Sequence, residues 1–83
     1  MKPVKYVYIL RSLNDPKQIY IGIANDLRRR LEQHNSGQSV HTAKFMPWDL
    51  MHYSAFVDEK KAHEFEKYMK SHSGRTFAQK RLY

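Results

Sequence analysis

Cysteine is missing from this 83-residue chain. Its absence excludes disulfides and thiolate metal sites and agrees with a reducing, cytoplasmic compartment. Glycine is scarce: Gly22, Gly37 and Gly74 are the only three, and none belongs to a loop that could cradle phosphates. No apolar run approaches the roughly 20 residues that span a bilayer. The amino terminus, MKPVKYVYIL, places basic residues before an apolar run but has no small-residue cleavage site. Its alternation fits a strand better than a signal peptide. Acidic residues are few, 8 against 15 lysines and arginines, for a formal net charge of +7. In so small a chain that excess favours phosphate-rich partners or anionic surfaces. Solubility alone is the blander explanation. The five histidines form no i, i+4 pair, which argues against zinc.

What is present is organised around Tyr20 to His34, YIGIANDLRRRLEQH. A strand is expected over Gln18 to Ile23, then a break at Ala24-Asn25 and a helix. Asn25 is the expected N-cap, and the charge of Asp26 suits that end of the helix dipole. Leu27 and Leu31 define the inward stripe at about 100° per residue. Arg30 and His34 should share its half-buried edge, with Arg28, Arg29 and Glu32 in solvent. Before this stretch, Val4 to Arg11 reads as a strand. Tyr6, Tyr8 and Leu10 fall on one face and Val7 and Ile9 on the other, so the sheet should be covered on both sides. Ser12 to Lys17 makes the turn of an antiparallel hairpin. After the helix, Asn35-Ser36-Gly37 is a stop signal, and Gln38 to Pro47 reads as a surface loop. Trp48 to Val57 is a third strand with less regular alternation. A second helix runs from Asp58-Glu59 to about Ser71, its inward stripe Ala62, Phe65 and Met69. Ser71 to Gly74 should end it, and Thr76 to Tyr83 can form a short basic helix. The whole is an α+β domain over residues 1–83, in the order β-β-α-β-α around a small three-stranded antiparallel sheet.

Few residues have the setting for chemistry. Glu66 lies about 40° from Ala62 on the inward edge of its helix. A carboxylate there needs a partner: an arginine such as Arg30, or a metal ion. Mg²⁺ accepts one carboxylate if waters and substrate phosphate complete its shell. Tyr8 and Tyr20 face each other across the hairpin. Core packing explains them adequately, and a free phenol with pKa near 10 is a weak base. Nearby cations would favour its phenolate. His34, one turn after Arg30, is either a polar helix end or part of a site.

Together these residues resemble the GIY-YIG nuclease family. The second half of the signature is intact as Tyr20-Ile21-Gly22. The first reads Tyr6-Val7-Tyr8, with tyrosine where the family has glycine. Members carry an arginine ten residues after the second signature tyrosine, matched by Arg30, and a histidine or tyrosine four later, matched by His34. A glutamate on the following helix, after an alanine, corresponds to Glu66 after Ala62. The His41-Thr42 loop, Pro47-Trp48 and the Glu66-Lys67…Lys70 run are similar to small stand-alone bacterial members of the UPF0213 type. Ile23 stands where some relatives have lysine, a cation that Lys44 would replace, and a later active-site asparagine has no counterpart before Tyr83.

The resemblance implies a divalent-metal-dependent endonuclease with little sequence specificity. Mg²⁺ or Mn²⁺ would bind Glu66. Tyr8, helped by Tyr20 or His34, would take a proton from water, and Arg30 would stabilise the transition state's charge. Arg28, Arg29, Lys44 and Lys70 would follow the backbone. The expected partner is nucleic acid, DNA before RNA, and no membrane. The alternative is a catalytically inactive nucleic-acid-binding module on the same scaffold. Oligomeric state stays open.

Overall fold

A strand that is apolar on both faces must be covered twice, and the KYVYILRS run is the centre of the sheet for that reason. In a computed structural model, which describes residues 5–83, it forms β1 (Lys5–Ser12). Val4, expected to open this strand, lies outside the described residues. β2 (Ile19–Ala24), α1 (Leu27–Asn35), α2 (Val40–Ala43), β3 (Trp48–Phe56), α3 (Glu59–Lys70) and α4 (His72–Arg81) follow. The sheet order is β2-β1-β3, and both pairings are antiparallel. The expected α+β class and element order hold, with additional helical segments.

Alternation along β1 builds two cores. Val7 and Ile9 pack with Ile21, Ala62, Met69 and Ala78, from β2, α3 and α4. Tyr8 and Leu10 pack on the other side with Ala24 and Trp48, flanked by Leu27 and Leu31 of α1. The irregular alternation of β3 has a local cause. Ile9 pairs with His52 but Leu10 pairs with Leu50, so Met51 is an extra residue and the strand kinks there.

Three boundaries depart from the sequence expectation. The N-cap of α1 is Asp26, whose Oδ1 accepts from Arg29 N–H at 3.1 Å. Asn25 and Asp26 are both competent caps, so the sequence left one residue of ambiguity. The expected loop after Gly37, which has φ 82°, contains the short helix α2. There Thr42 and Ala43 amides bond back to Ser39 O. Finally, Gly74 does not end a helix. Ser71 caps both α3 and α4, and its hydroxyl accepts from Gly74 N–H at 3.1 Å. Gly74 is inside α4 because a Cβ there would run into the Tyr68 carbonyl. The small residue lets α4 fold directly back on α3.

Polar clamps hold the segment between α1 and β3 over the second core. Asn35 Nδ2 donates to Trp48 O at 3.1 Å, and Asn35 Oδ1 accepts from Trp48 N–H at 2.5 Å. Trp48 Nε1 donates to Thr42 O at 2.9 Å. Ser12 Oγ, at the end of β1, donates to Phe45 O at 2.6 Å. These bonds position Thr42 above the face that carries Tyr8.

Candidate functional site

Tyr8 points from the central strand into this second core, and its residue is 2% exposed. Its register partner on β2 is Gly22. A Cβ at Gly22 would overlap the Tyr8 hydroxyl and Cζ and crowd Tyr20. The glycine therefore leaves room for a phenol lying across the neighbouring strand. Gly22 is not in the left-handed region, so the requirement is space rather than backbone conformation.

The phenol ends on an imidazole. Tyr8 Oη lies 2.9 Å from His34 Nε2, and His34 Nδ1 lies 2.7 Å from Thr42 Oγ1. The Thr42 hydroxyl donates onward to Ser39 O at 3.4 Å. With that hydrogen so placed, Nδ1–H donates to Thr42, and Nε2 accepts from the Tyr8 hydroxyl. His34 was expected to be half-buried and is instead completely buried. Burial lowers its pKa, helped by the charge of Arg30, which suits the neutral ring this network needs. Tyr20 completes the cluster, its ring centroid 4.9 Å from His34 and 6.3 Å from Tyr8.

Electrostatics on Tyr8 run against the expectation of a phenolate. Burial raises its pKa most, and Tyr20 adds to this. Arg30 lowers it and Glu66 raises it again. One guanidinium does not offset the cost of putting a negative charge into this pocket. In this arrangement the neutral phenol is a hydrogen-bond donor to His34.

The other sequence candidates lie around this cluster. Arg30 is exposed, not half-buried. It lines a hollow of about 310 Å³ with Arg29 and Lys5, where β2 turns into α1. Arg28 is exposed beside Tyr6, Leu31 and Tyr53. Lys44 follows α2, with its ammonium 5.5 Å from the Phe45 ring centroid. Glu66 belongs to α3, which covers the first core rather than the second, yet its charge reaches the Tyr8 hydroxyl. Its partner is Lys70, one turn on, at 2.9 Å; the pairing with Arg30 considered from the sequence is not made.

Among the described residues no three of His, Cys, Asp and Glu group as metal ligands. Glu66 alone offers a carboxylate, with its side chain 19% exposed. One carboxylate with waters and substrate oxygens is compatible with Mg²⁺, but Lys70 would first have to let it go.

Sequence reasoning missed Thr42, because its segment read as a loop; its burial depends on Trp48 and Asn35 from elsewhere in the chain. It also missed Arg11 and Arg75. These join Lys70 and Tyr20 around a larger hollow, and nothing local in the sequence links them.

Tyrosines on paired strands, a glycine opposite one of them and an arginine helix next in the chain define a GIY-YIG scaffold. A model of the GIY-YIG catalytic domain matches residues 4–81, and the chain belongs to that family. Among small bacterial relatives, it is 30% identical over 72 residues to a UPF0213 protein of Streptococcus pyogenes serotype M3, covering 86% of this chain and 76% of that protein. Its fold is similar to the solution NMR structure of the UPF0213 protein BH0048 from Bacillus halodurans. That match has a TM-score of 0.55 and 32% identity, and covers 90% of this chain and 79% of the other. It is also 43% identical over 51 residues to the structure-specific endonuclease subunit SLX1 of Debaryomyces hansenii. Those residues are 54% of this chain but 15% of that protein, so this chain spans a small part of it.

Proposed function

We propose that residues 1–83 form one GIY-YIG domain that binds nucleic acid through the basic surface around the Tyr8–His34–Tyr20 cluster, in the cytoplasm. The observation that carries this reading is the arginine row of α1. Arg28, Arg29 and Arg30 are all exposed, and among the described residues none is in an ion pair. Free guanidiniums on one short helix, in a chain of net charge +7, suit a phosphate backbone better than an internal structural role. Relatives described as endonuclease subunits agree with that partner class. The two features described above, the neutral buried phenol and the Glu66–Lys70 pair, favour binding without hydrolysis.

A second reading, metal-dependent phosphodiester hydrolysis, is favoured by one observation. Arg30 and Glu66, from helices on different faces of the sheet, both lie near enough for their charges to bear on the Tyr8 pKa, Arg30 lowering it and Glu66 raising it. In this reading Glu66 would hold a divalent cation, which when bound neutralises phosphate charge and activates the leaving group. Tyr8 would take a proton from the attacking water as its own passes to His34 Nε2, and Thr42 would fix that ring. Arg30 would meet charge developing on the phosphate.

Labelled single-stranded, duplex and branched DNA and single-stranded RNA separate the readings. A gel shift with intact label, in Mn²⁺ or Mg²⁺ as in chelator, is the expected outcome. Cleavage that chelator stops, and that Glu66→Ala abolishes without weakening the shift, would establish hydrolysis instead. No shift with any substrate would overturn both.

A further inference from the structure

A hollow larger than the one beside Arg30 is present among the described residues. It has a volume of about 930 Å³ and lies along the outer edge of β2, between the hairpin turn and α4. Four cations line it, Arg11, Lys17, Lys70 and Arg75, and none of its lining residues is acidic. They come from β1, the turn, α3 and α4, so the fold itself collects them. The size suits a ligand larger than a single anion.

Two further observations indicate that the hollow is built for an anion. Arg11 Nε is buried and has no hydrogen-bond partner among the described residues. That nitrogen is closed off from solvent, so it anchors the group inside the wall, and any contact with an anion falls to the rest of the guanidinium, whose donors match phosphate oxygens well. The same guanidinium lies 5.4 Å from the centroid of the Tyr83 ring, which also lines the hollow. A flat cation held against an aromatic ring is pre-oriented rather than free to turn away into solvent. Tyr20 forms part of the wall and is in the phenol–imidazole cluster as well. The hollow therefore adjoins the phenol–imidazole cluster through Tyr20.

We infer that the hollow formed by Arg11, Lys17, Lys70 and Arg75 is a second backbone-phosphate site, which takes the strand of a bound nucleic acid on the far side of Tyr20 from the α1 arginines. This rests on the nucleic-acid reading above and adds a track to it. Lys70 is the junction. A phosphate in the hollow competes with Glu66 for the Lys70 ammonium, now 2.9 Å from the carboxylate.

The test uses the exposed pair, Lys17→Gln and Arg75→Gln, in the full chain. Neither residue belongs to the two cores, so the fold should persist, as circular dichroism will show. Fluorescence anisotropy with a single-stranded oligonucleotide gives the affinity and its salt dependence. Each substitution should weaken binding about fourfold at 0.15 M salt and reduce the log–log salt slope by about 0.7, additively in the double variant. Arg28→Gln serves as the reference from α1. If the double variant keeps wild-type affinity and slope while Arg28→Gln weakens binding, the hollow is not on the track and this inference fails alone. If the wild type binds no oligonucleotide, the parent reading fails with it. Inorganic phosphate is the second probe. Amide shifts at Arg11 and Arg75 only with the oligonucleotide, and not with phosphate at equal concentration, assign the site to a strand. Equal shifts with both would reduce it to a free-anion site and overturn the strand assignment.

Discussion

Gly22→Ala should be far more damaging than a one-carbon change on a strand normally is. Gly22 has ordinary strand backbone, so alanine would by itself stabilise by about 0.4–1 kcal/mol through the unfolded chain. Against this, the new methyl overlaps the Tyr8 hydroxyl and ring and crowds Tyr20. A flexible exposed side chain would simply swing away. Tyr8 cannot do so cheaply, because it is enclosed and bonded to His34 at 2.9 Å. Overpacking costs about 1–3 kcal/mol. Displacing the phenol also leaves a buried donor and acceptor unpaired, about 1–3 kcal/mol more. The net is a loss on the order of 3 kcal/mol, combining these ranges. In a chain of this size that lowers Tm by more than about 10 °C. Urea and thermal denaturation followed by circular dichroism measure it. The same substitution made in Tyr8→Phe should cost less, since the hydroxyl and its bond are already gone, giving a coupling of about 1 kcal/mol. An unchanged or raised Tm for Gly22→Ala, or strict additivity with Tyr8→Phe, would refute the packing argument.

The pKa directions give further tests. The folded pKa of His34 lies below its ordinary 6.5, so the unfolded chain binds the proton first. Stability is full above that value and falls as the pH drops below it. Denaturant midpoints measured across this range should show the fall, and His34→Asn should remove it. The folded pKa of Tyr8 is raised above its ordinary 10.0. Its contribution is therefore complete below that pH and is lost as the solution becomes more alkaline; midpoints for Tyr8→Phe should lack this alkaline loss. Glu66→Gln breaks the partly exposed ion pair with Lys70 and should cost no more than about 0.5 kcal/mol of stability, read as a small shift in urea midpoint. A large loss would mean that Glu66 has a structural task beyond this pair.

The sheet was legible in the sequence because β1 alternates and both of its faces are apolar. The two cores follow directly from Tyr8 and Leu10 against Val7 and Ile9. The second long helix was legible for the same reason, from the spacing of Ala62, Phe65 and Met69. What the sequence did not disclose depends on contacts between distant segments. Thr42 is buried because Trp48 and Asn35 clamp its segment, although the residues around it are polar. Gly74 looked like a helix stop because glycine usually is one there, but the tight turn from α3 to α4 uses its small size instead. The pairing of Glu66 with Lys70 follows i, i+4 spacing and takes the carboxylate that a long-range arginine could otherwise have met. Arg11, Lys17 and Arg75 converge only when the β2 edge and α4 are placed together. The enclosure of Tyr8, which reverses the expected direction of its pKa shift, is likewise a property of the assembled core.

The proposed grip on a phosphate backbone, by a basic surface surrounding a neutral phenol–imidazole pair, is electrostatic. Its most direct test is the affinity of the unmodified chain for a labelled oligonucleotide as salt is raised from about 50 to about 200 mM, a range over which backbone binding weakens steeply. Saturable binding is expected at the low end, with a linear fall in log affinity with log salt. Absence of binding at the low end, or binding that salt does not change, would contradict it.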